Sequence, residues 1–200
     1  MSKRKLSYTK AVIICHGKSE SQLCKFIRQN LRISIDIYDD KNGEKSIQIT
    51  SLKNHLNNRV FQSIDSFTNE FPKTSVVGKG RKRKLEQFRL FIIMDTDDCS
   101  ESVKHSFINK EMFKNHWAFE YIEPIFNISN LEEVLNRSDI IYQKSGKDIK
   151  KQYIKIFPTD VKYIEKNSDT IQLENFMKKL QGDEKTNMER LIQYCLECKN

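Results

Sequence analysis

No run of apolar residues in this 200-residue chain approaches the roughly 18 that a membrane-crossing helix needs, so a helical membrane span is not expected. The start, Met-Ser-Lys-Arg-Lys, is basic but leads into Ser-Tyr-Thr-Lys instead of an apolar signal core, and no secretion signal is read there. Five cysteines (Cys15, Cys24, Cys99, Cys195 and Cys198) are an odd number without framework spacing, which argues for a reducing, cytoplasmic setting. The one C-x-x-C, Cys195 to Cys198, has no second pair and reads as incidental. Internal repeats and low-complexity tracts are missing. So is the G-x-x-x-x-G-K-[ST] loop that would cradle a nucleotide phosphate, which weighs against an enzyme acting on a small phosphorylated substrate.

What is present is a charged globular composition, 38% hydrophobic and 31% charged, long enough for one domain with a real core. The net charge of +8 suits a polyanionic partner such as DNA or RNA.

The stretch that organises the chain is Phe88-Arg-Leu-Phe-Ile-Ile-Met-Asp95-Thr-Asp97-Asp98-Cys99. A nearly unbroken apolar run bounded by polar residues reads as a strand buried on both faces, as in a parallel sheet. Ligand sites of open α/β sheets lie just beyond the carboxyl ends of such strands. Crowded carboxylates repel one another unless a cation neutralises them, and an oxygen-rich set suits Mg²⁺ or Mn²⁺. The alternative is a helix cap, with Asp97 or Asp98 opening a helix over 100–108.

Elsewhere, Ala11 to Cys15 reads as a first buried strand, His16-Gly17-Lys18-Ser19 as a turn, and Leu23, Phe26, Ile27 and Leu31 as the inner face of a helix. Ser19 and Gln22 match a capping box, and Glu20 falls in the first helical turn. Residues 33–38 alternate as a strand, residues 46–50 suggest another, and Leu52 to Leu56 a helical turn. Val60, Phe61, Ile64 and Phe67 mark a helix ending near Phe71-Pro72. Gly78-Lys79-Gly80-Arg81-Lys82-Arg83-Lys84 packs five cations into seven positions and is expected as a phosphate-contacting loop near the site, the alternative being a solvated loop. Phe107, Met112, Phe113 and Trp117 suggest helical packing, and residues 120–127 a strand that Pro124 places near an edge or a bulge. Asn130 is expected to cap a helix, with Glu133 reaching back to it; as first-turn acids after a strand, Glu132 or Glu133 stands alternatively to join the carboxylate rim. A second basic segment, 144–151, leads into 153–158, and two helices follow, around 173–180 and through Met188, Leu191, Ile192 and Cys195.

The order of these pieces, a strand, a turn, a helix with an acid in its first turn, then an apolar strand ending in Asp-x-Asp, resembles the Toprim domain of topoisomerases, primases and OLD-type nucleases. The resemblance covers about residues 10–140 and is carried by 11–31 and 88–98; it is nearest to small OLD-like and abortive-infection proteins. It implies an α/β fold with a mainly parallel central sheet flanked by helices over 1–140; the helical patterns that follow are expected as a mostly helical C-terminal extension, 141–200, packed on that domain. It implies metal ligands at Asp95 and Asp97, with Asp98 as an extra, and an acid at Glu20. The glutamate that ends the family's first strand is replaced here by His16, which stands as a metal ligand, as a general base, or as the mark of a fold that kept its shape and lost its chemistry.

What the resemblance implies is a Mg²⁺- or Mn²⁺-dependent nuclease, with His16, Glu20, Asp95 and Asp97 catalytic and Lys18, Lys79, Arg81, Lys82, Arg83 and Lys84 contacting DNA or RNA. Phage defence and an ATPase partner belong to the same implication, and the oligomeric state is left open. The alternative is an inactive Toprim-like module that binds nucleic acid or regulates a partner.

Overall fold

The computed structural model describes residues 8–43, 45–138 and 169–199. The basic start of the chain and the second basic segment, 144–151, with 153–158 after it, lie outside the described residues. Four parallel strands form the central sheet: β1 (Ala11–Cys15), β2 (Ile35–Tyr38), then β5 (Arg89–Asp95) and β6 (Ile122–Asn127), in the order β2-β1-β5-β6. A small antiparallel hairpin, β3 (Val76–Val77) with β4 (Lys84–Leu85), precedes β5. The expected parallel sheet flanked by helices is therefore present.

Continuous apolar runs sit in the two middle strands, which have a neighbour on each side and a packed layer over each face. Along β1 all five residues are buried, and alternate ones enter opposite layers. Ala11, Ile13 and Cys15 join one core with Phe91 and Ile93, while Val12 and Ile14 join the other with Leu90, Ile92 and Met94. The first layer is closed by α1 (Lys18–Leu31), α5 (Leu131–Arg137), α6 (Asp169–Leu180) and α7 (Met188–Glu197). Leu173, Phe176, Leu180, Leu191 and Cys195 are buried against β1 and α1, so these C-terminal helices share the sheet's own core. The second layer holds α2 (Leu52–Leu56), α3 (Ile64–Glu70) and α4 (Glu101–Ile108) around Phe61, Phe67, Phe107 and Phe113. Each fully buried Leu, Ile or Phe contributes about 1.5–3 kcal/mol of transfer free energy. None of the described helices is long and apolar enough to cross a membrane.

Several local expectations shift. Residues 46–50 form no strand: Ile47 and Ile49 are buried as anchors on the second core, and a 3-10 turn covers Ile49–Ser51. The helix expected from Val60 begins only at Ile64, because Asn58 Oδ1 holds the Val60 and Phe61 amides in a turn and Ser63 caps the helix. α4 is capped by Ser100, whose hydroxyl accepts from the Val103 amide, so neither Asp97 nor Asp98 is the cap. Pro124 does sit on an outer strand, where its missing N–H breaks no ladder.

Candidate carboxylate site

The carboxyl ends of β1, β5 and β6 bring His16, Asp95 and Asn127 to one edge of the sheet, where the N-termini of α1 and α5 add Glu20 and Glu132. The first turn of α1 is not built as Ser19 and Gln22 suggest. Gly17 is the cap, and its amide donates to Glu20 Oε2 at 2.9 Å. Ser19 is thereby free to donate to Glu132 Oε1 at 3.0 Å, tying α1 to α5. Glu133, the other acid named for this position, faces Arg137 on its own helix instead.

Asp95 is the centre of the group. Its Oδ1 accepts from Asn127 Nδ2 at 3.1 Å, and its Oδ2 lies 3.9 Å from His16 Nε2. That separation exceeds a hydrogen bond, so neither group satisfies the other. The opposite ring nitrogen, Nδ1, is 3.0 Å from the Ile47 carbonyl. A carbonyl only accepts, so Nδ1 carries a proton toward Ile47 and the ring turns its Nε2 edge toward Asp95. Imidazoles that bind metals or accept protons are commonly oriented in this way. Ile47 returns the contact, its amide donating to His16 O at 2.7 Å. The failed strand prediction at 46–50 is thus the buried prop that aims His16.

Burial pushes the Asp95 carboxyl up to about 8, with the Glu20 charge adding to the rise, the Asn127 bond opposing it, and Asp97 and Glu132 contributing further repulsion. Glu20 is 2% exposed and its carboxyl is also raised, first by burial; backbone N–H groups and His16 oppose this, and Glu132 adds to it. Asp97 and Asp98 are exposed on the turn after β5. Asp39, at the end of β2, accepts from Ser21 and pairs with Lys25 at 3.3 Å, so it is compensated where the Asp95 group is not. Lys18 is exposed at the start of α1, beside this edge.

The donors are hard oxygens with one imidazole, a set that suits a small divalent ion. Among the described residues, no three His, Cys, Asp or Glu side chains converge as a ready-made cage. Mg²⁺ does not need one, since it keeps several waters and is held through one or two carboxylates together with substrate phosphates. The residues fit an open site of that kind.

The basic loop is where topology separates expectation from structure. Residues 78–84 lie between β3 and β4, before the amino end of β5, whereas Asp95 closes its carboxyl end. A seven-residue strand spans roughly 20 Å, so Lys79, Arg81, Lys82, Arg83 and Lys84 stand at the edge of the sheet opposite the carboxylates. Arg83 pairs with Asp65.

Sequence reasoning missed two contributors, Asn127 and Thr186. Asn127 is fully buried, and Thr186 Oγ1 donates to Asn127 Oδ1 at 2.9 Å. Thr186 belongs to the segment before α7 that bridges to the end of β6, where the Ile128 amide donates to Lys185 O at 2.7 Å. A polar residue closing a strand was the only available signal.

No protein-family model matches the sequence, and no curated protein matches it significantly. Among solved structures the chain is similar to the C-terminal region of the Burkholderia pseudomallei OLD protein, at 12% identity and a TM-score of 0.35, over 95% of this chain and 88% of that one.

Proposed function

We propose that the chain is a divalent-cation-dependent nuclease of Toprim type that cleaves phosphodiester bonds in DNA or RNA, with phage defence as its setting. The observation that carries this reading is the pair of buried acids, Asp95 and Glu20, repelling each other and Glu132 at the carboxyl edge of a parallel sheet. Uncompensated buried carboxylates are costly, and a bound Mg²⁺ or Mn²⁺ is the neutraliser that their oxygens suit. The motif order in 11–31 and 88–98 supports the family assignment.

Asp95, with Glu20 and Asp97, would hold the ion, and Asp98 stands on the same turn. Such an ion supplies Lewis-acid polarisation of a phosphate and acidifies a bound water. His16, tethered through Nδ1 to Ile47 O, presents Nε2 to accept a proton from the attacking water. Lys18 is placed to meet a substrate phosphate.

The second reading, an inactive Toprim-like module that binds nucleic acid or a partner such as an ATPase, is favoured by His16 at the family's glutamate position. One experiment separates the two: plasmid nicking and RNA cleavage with Mg²⁺ or Mn²⁺, for wild type and Asp95→Ala. Cleavage that needs the ion and disappears in the variant supports the nuclease. Cleavage that survives EDTA or Asp95→Ala defeats it, and no cleavage alongside retained nucleic-acid binding selects the module.

A further inference from the structure

The sheet edge opposite the carboxylates is tied together by main-chain contacts. The Thr9 amide donates to Lys73 O and the Glu86 amide to Ser75 O, both at 3.0 Å, while the Leu85 amide donates to Tyr121 Oη at 3.0 Å. The β3–β4 hairpin is therefore a fixed part of the amino-end edge. Its first turn depends on Gly78, at φ +86°, where a Cβ would come within 2.3 Å of Lys82 O.

Residues 73–89 hold seven Lys or Arg against one acid, Glu86, so this edge supplies most of the chain's net charge of +8. Arg83 is paired with Asp65, and Glu86 accepts from Ser75. Lys73, Lys79, Arg81, Lys82 and Lys84 are exposed, and none has an acidic side-chain partner among the described residues. The same edge carries Tyr8, at 46% exposure the one large hydrophobic residue left in solvent among the described residues. It adjoins Thr9, which bridges to Thr74. The opposite edge gathers Glu20, Asp95, Asp97, Asp98 and Glu132, so of the two ends it is the basic one that draws a polyanion when no divalent ion is bound.

We propose that Tyr8, Lys73, Lys79, Arg81, Lys82 and Lys84 form a binding surface for single-stranded nucleic acid, distinct from the carboxylate site. Unpaired cations on a rigid turn neutralise phosphates and release counterions. An exposed aromatic ring offers a platform for an unstacked base, which a duplex does not present. The surface holds its ligand without a divalent ion, and its existence does not depend on cleavage.

The test is fluorescence anisotropy of labelled oligo-dT, oligo-U and a duplex of matched length, on the full chain in EDTA, across a series of KCl concentrations. The expected result is that replacing Lys79, Arg81, Lys82 and Lys84 together by Gln weakens binding at least tenfold. The log–log salt slope should fall by about 3, at roughly 0.7 for each lost phosphate contact. Tyr8→Ala should weaken both single strands more than the duplex, and Asp95→Ala should bind as wild type or tighter. Circular dichroism melts check that these exposed substitutions leave the fold intact. Absent binding by wild type, or unchanged affinity in the quadruple variant, overturns the surface. Equal losses on duplex and single strand overturn its single-strand character. Loss in Asp95→Ala under EDTA would place the binding at the carboxylate edge instead. Failure of the nuclease reading shows separately, in the nicking assay, and the dT and U arms tell DNA from RNA.

Discussion

Asn127 Nδ2 donates to Asp95 Oδ1 at 3.1 Å, and that one bond decides which oxygen of the buried carboxylate remains to face His16. Asn127 is itself held. Thr186 donates to its side-chain oxygen at 2.9 Å, Thr96 donates to its backbone carbonyl at 3.1 Å, and the Met188 amide anchors Thr186 Oγ1 at 3.2 Å. A turn near the C-terminus thus orients the central acid of a site whose other members come from residues 16–132.

Thr186→Val should release Asn127 and loosen Asp95. Divalent affinity, read by calorimetry, is expected to fall about 10- to 100-fold, the usual consequence of losing an outer-shell partner. Stability should fall by about 1–3 kcal/mol, because Asn127 Oδ1 is left buried and unpaired. Thr186→Ser should restore both, and unchanged affinity in Thr186→Val would show that Asp95 is positioned without this chain of bonds.

The raised Asp95 carboxyl sets a pH dependence in the metal-free protein. A carboxyl at about 8 when folded and at its ordinary value of 3.8 when unfolded binds more protons in the native state. Its contribution to stability is fully present below the unfolded value and is lost as pH rises toward 8. In EDTA, stability should therefore decline between pH 4 and 8, by an amount on the order of a few kcal/mol. Asp95→Asn should flatten that slope, and urea melts across the range measure it. A slope that is identical in the variant would assign the effect to other groups.

His16→Ala separates two roles. As a proton acceptor, His16 contributes about 10²- to 10⁴-fold to cleavage, and its removal should leave divalent affinity within a few-fold of wild type. Parallel loss of cation binding would make it a ligand instead.

Glu20→Gln keeps an oxygen for the Gly17 amide while removing a buried charge. Thermal stability near neutral pH should hold or rise, and cleavage should disappear. A large drop in melting temperature would show that the acid is chiefly a helix cap.

Phe176→Ala should cost about 3–5 kcal/mol, as for other buried aromatic truncations, since Phe176 lies in the core that contains Ile13 and Ile93. The melt should keep one transition, monitored by far- and near-ultraviolet circular dichroism together. Separate transitions would mark the C-terminal helices as an independent unit.

The sequence by itself determined the two central strands and the inward faces of the long helices. Hydrophobic patterning is a local record of burial, and the short apolar runs Ala11 to Cys15 and Arg89 to Asp95, rich in β-branched residues and bounded by polar ones, read as strands buried on both faces. The same record placed Asp95 at a strand end and Glu20 in a first helical turn. Only the tertiary structure decided what those positions meet. Residues 46–50 alternate like a strand yet join no ladder; Ile47 and Ile49 are buried against the second core instead. Glu132 and Glu133 are indistinguishable in sequence; the helix phase sends one to Ser19 and the other to Arg137. The cations of 78–84 adjoin the Asp95 strand in sequence but stand at its other end, because a strand carries the chain straight from one edge of the sheet to the opposite one. Thr186 and Asn127 meet across 59 positions, a distance over which no local pattern speaks. Periodicity reports which residues are buried, whereas partners depend on how the chain closes on itself.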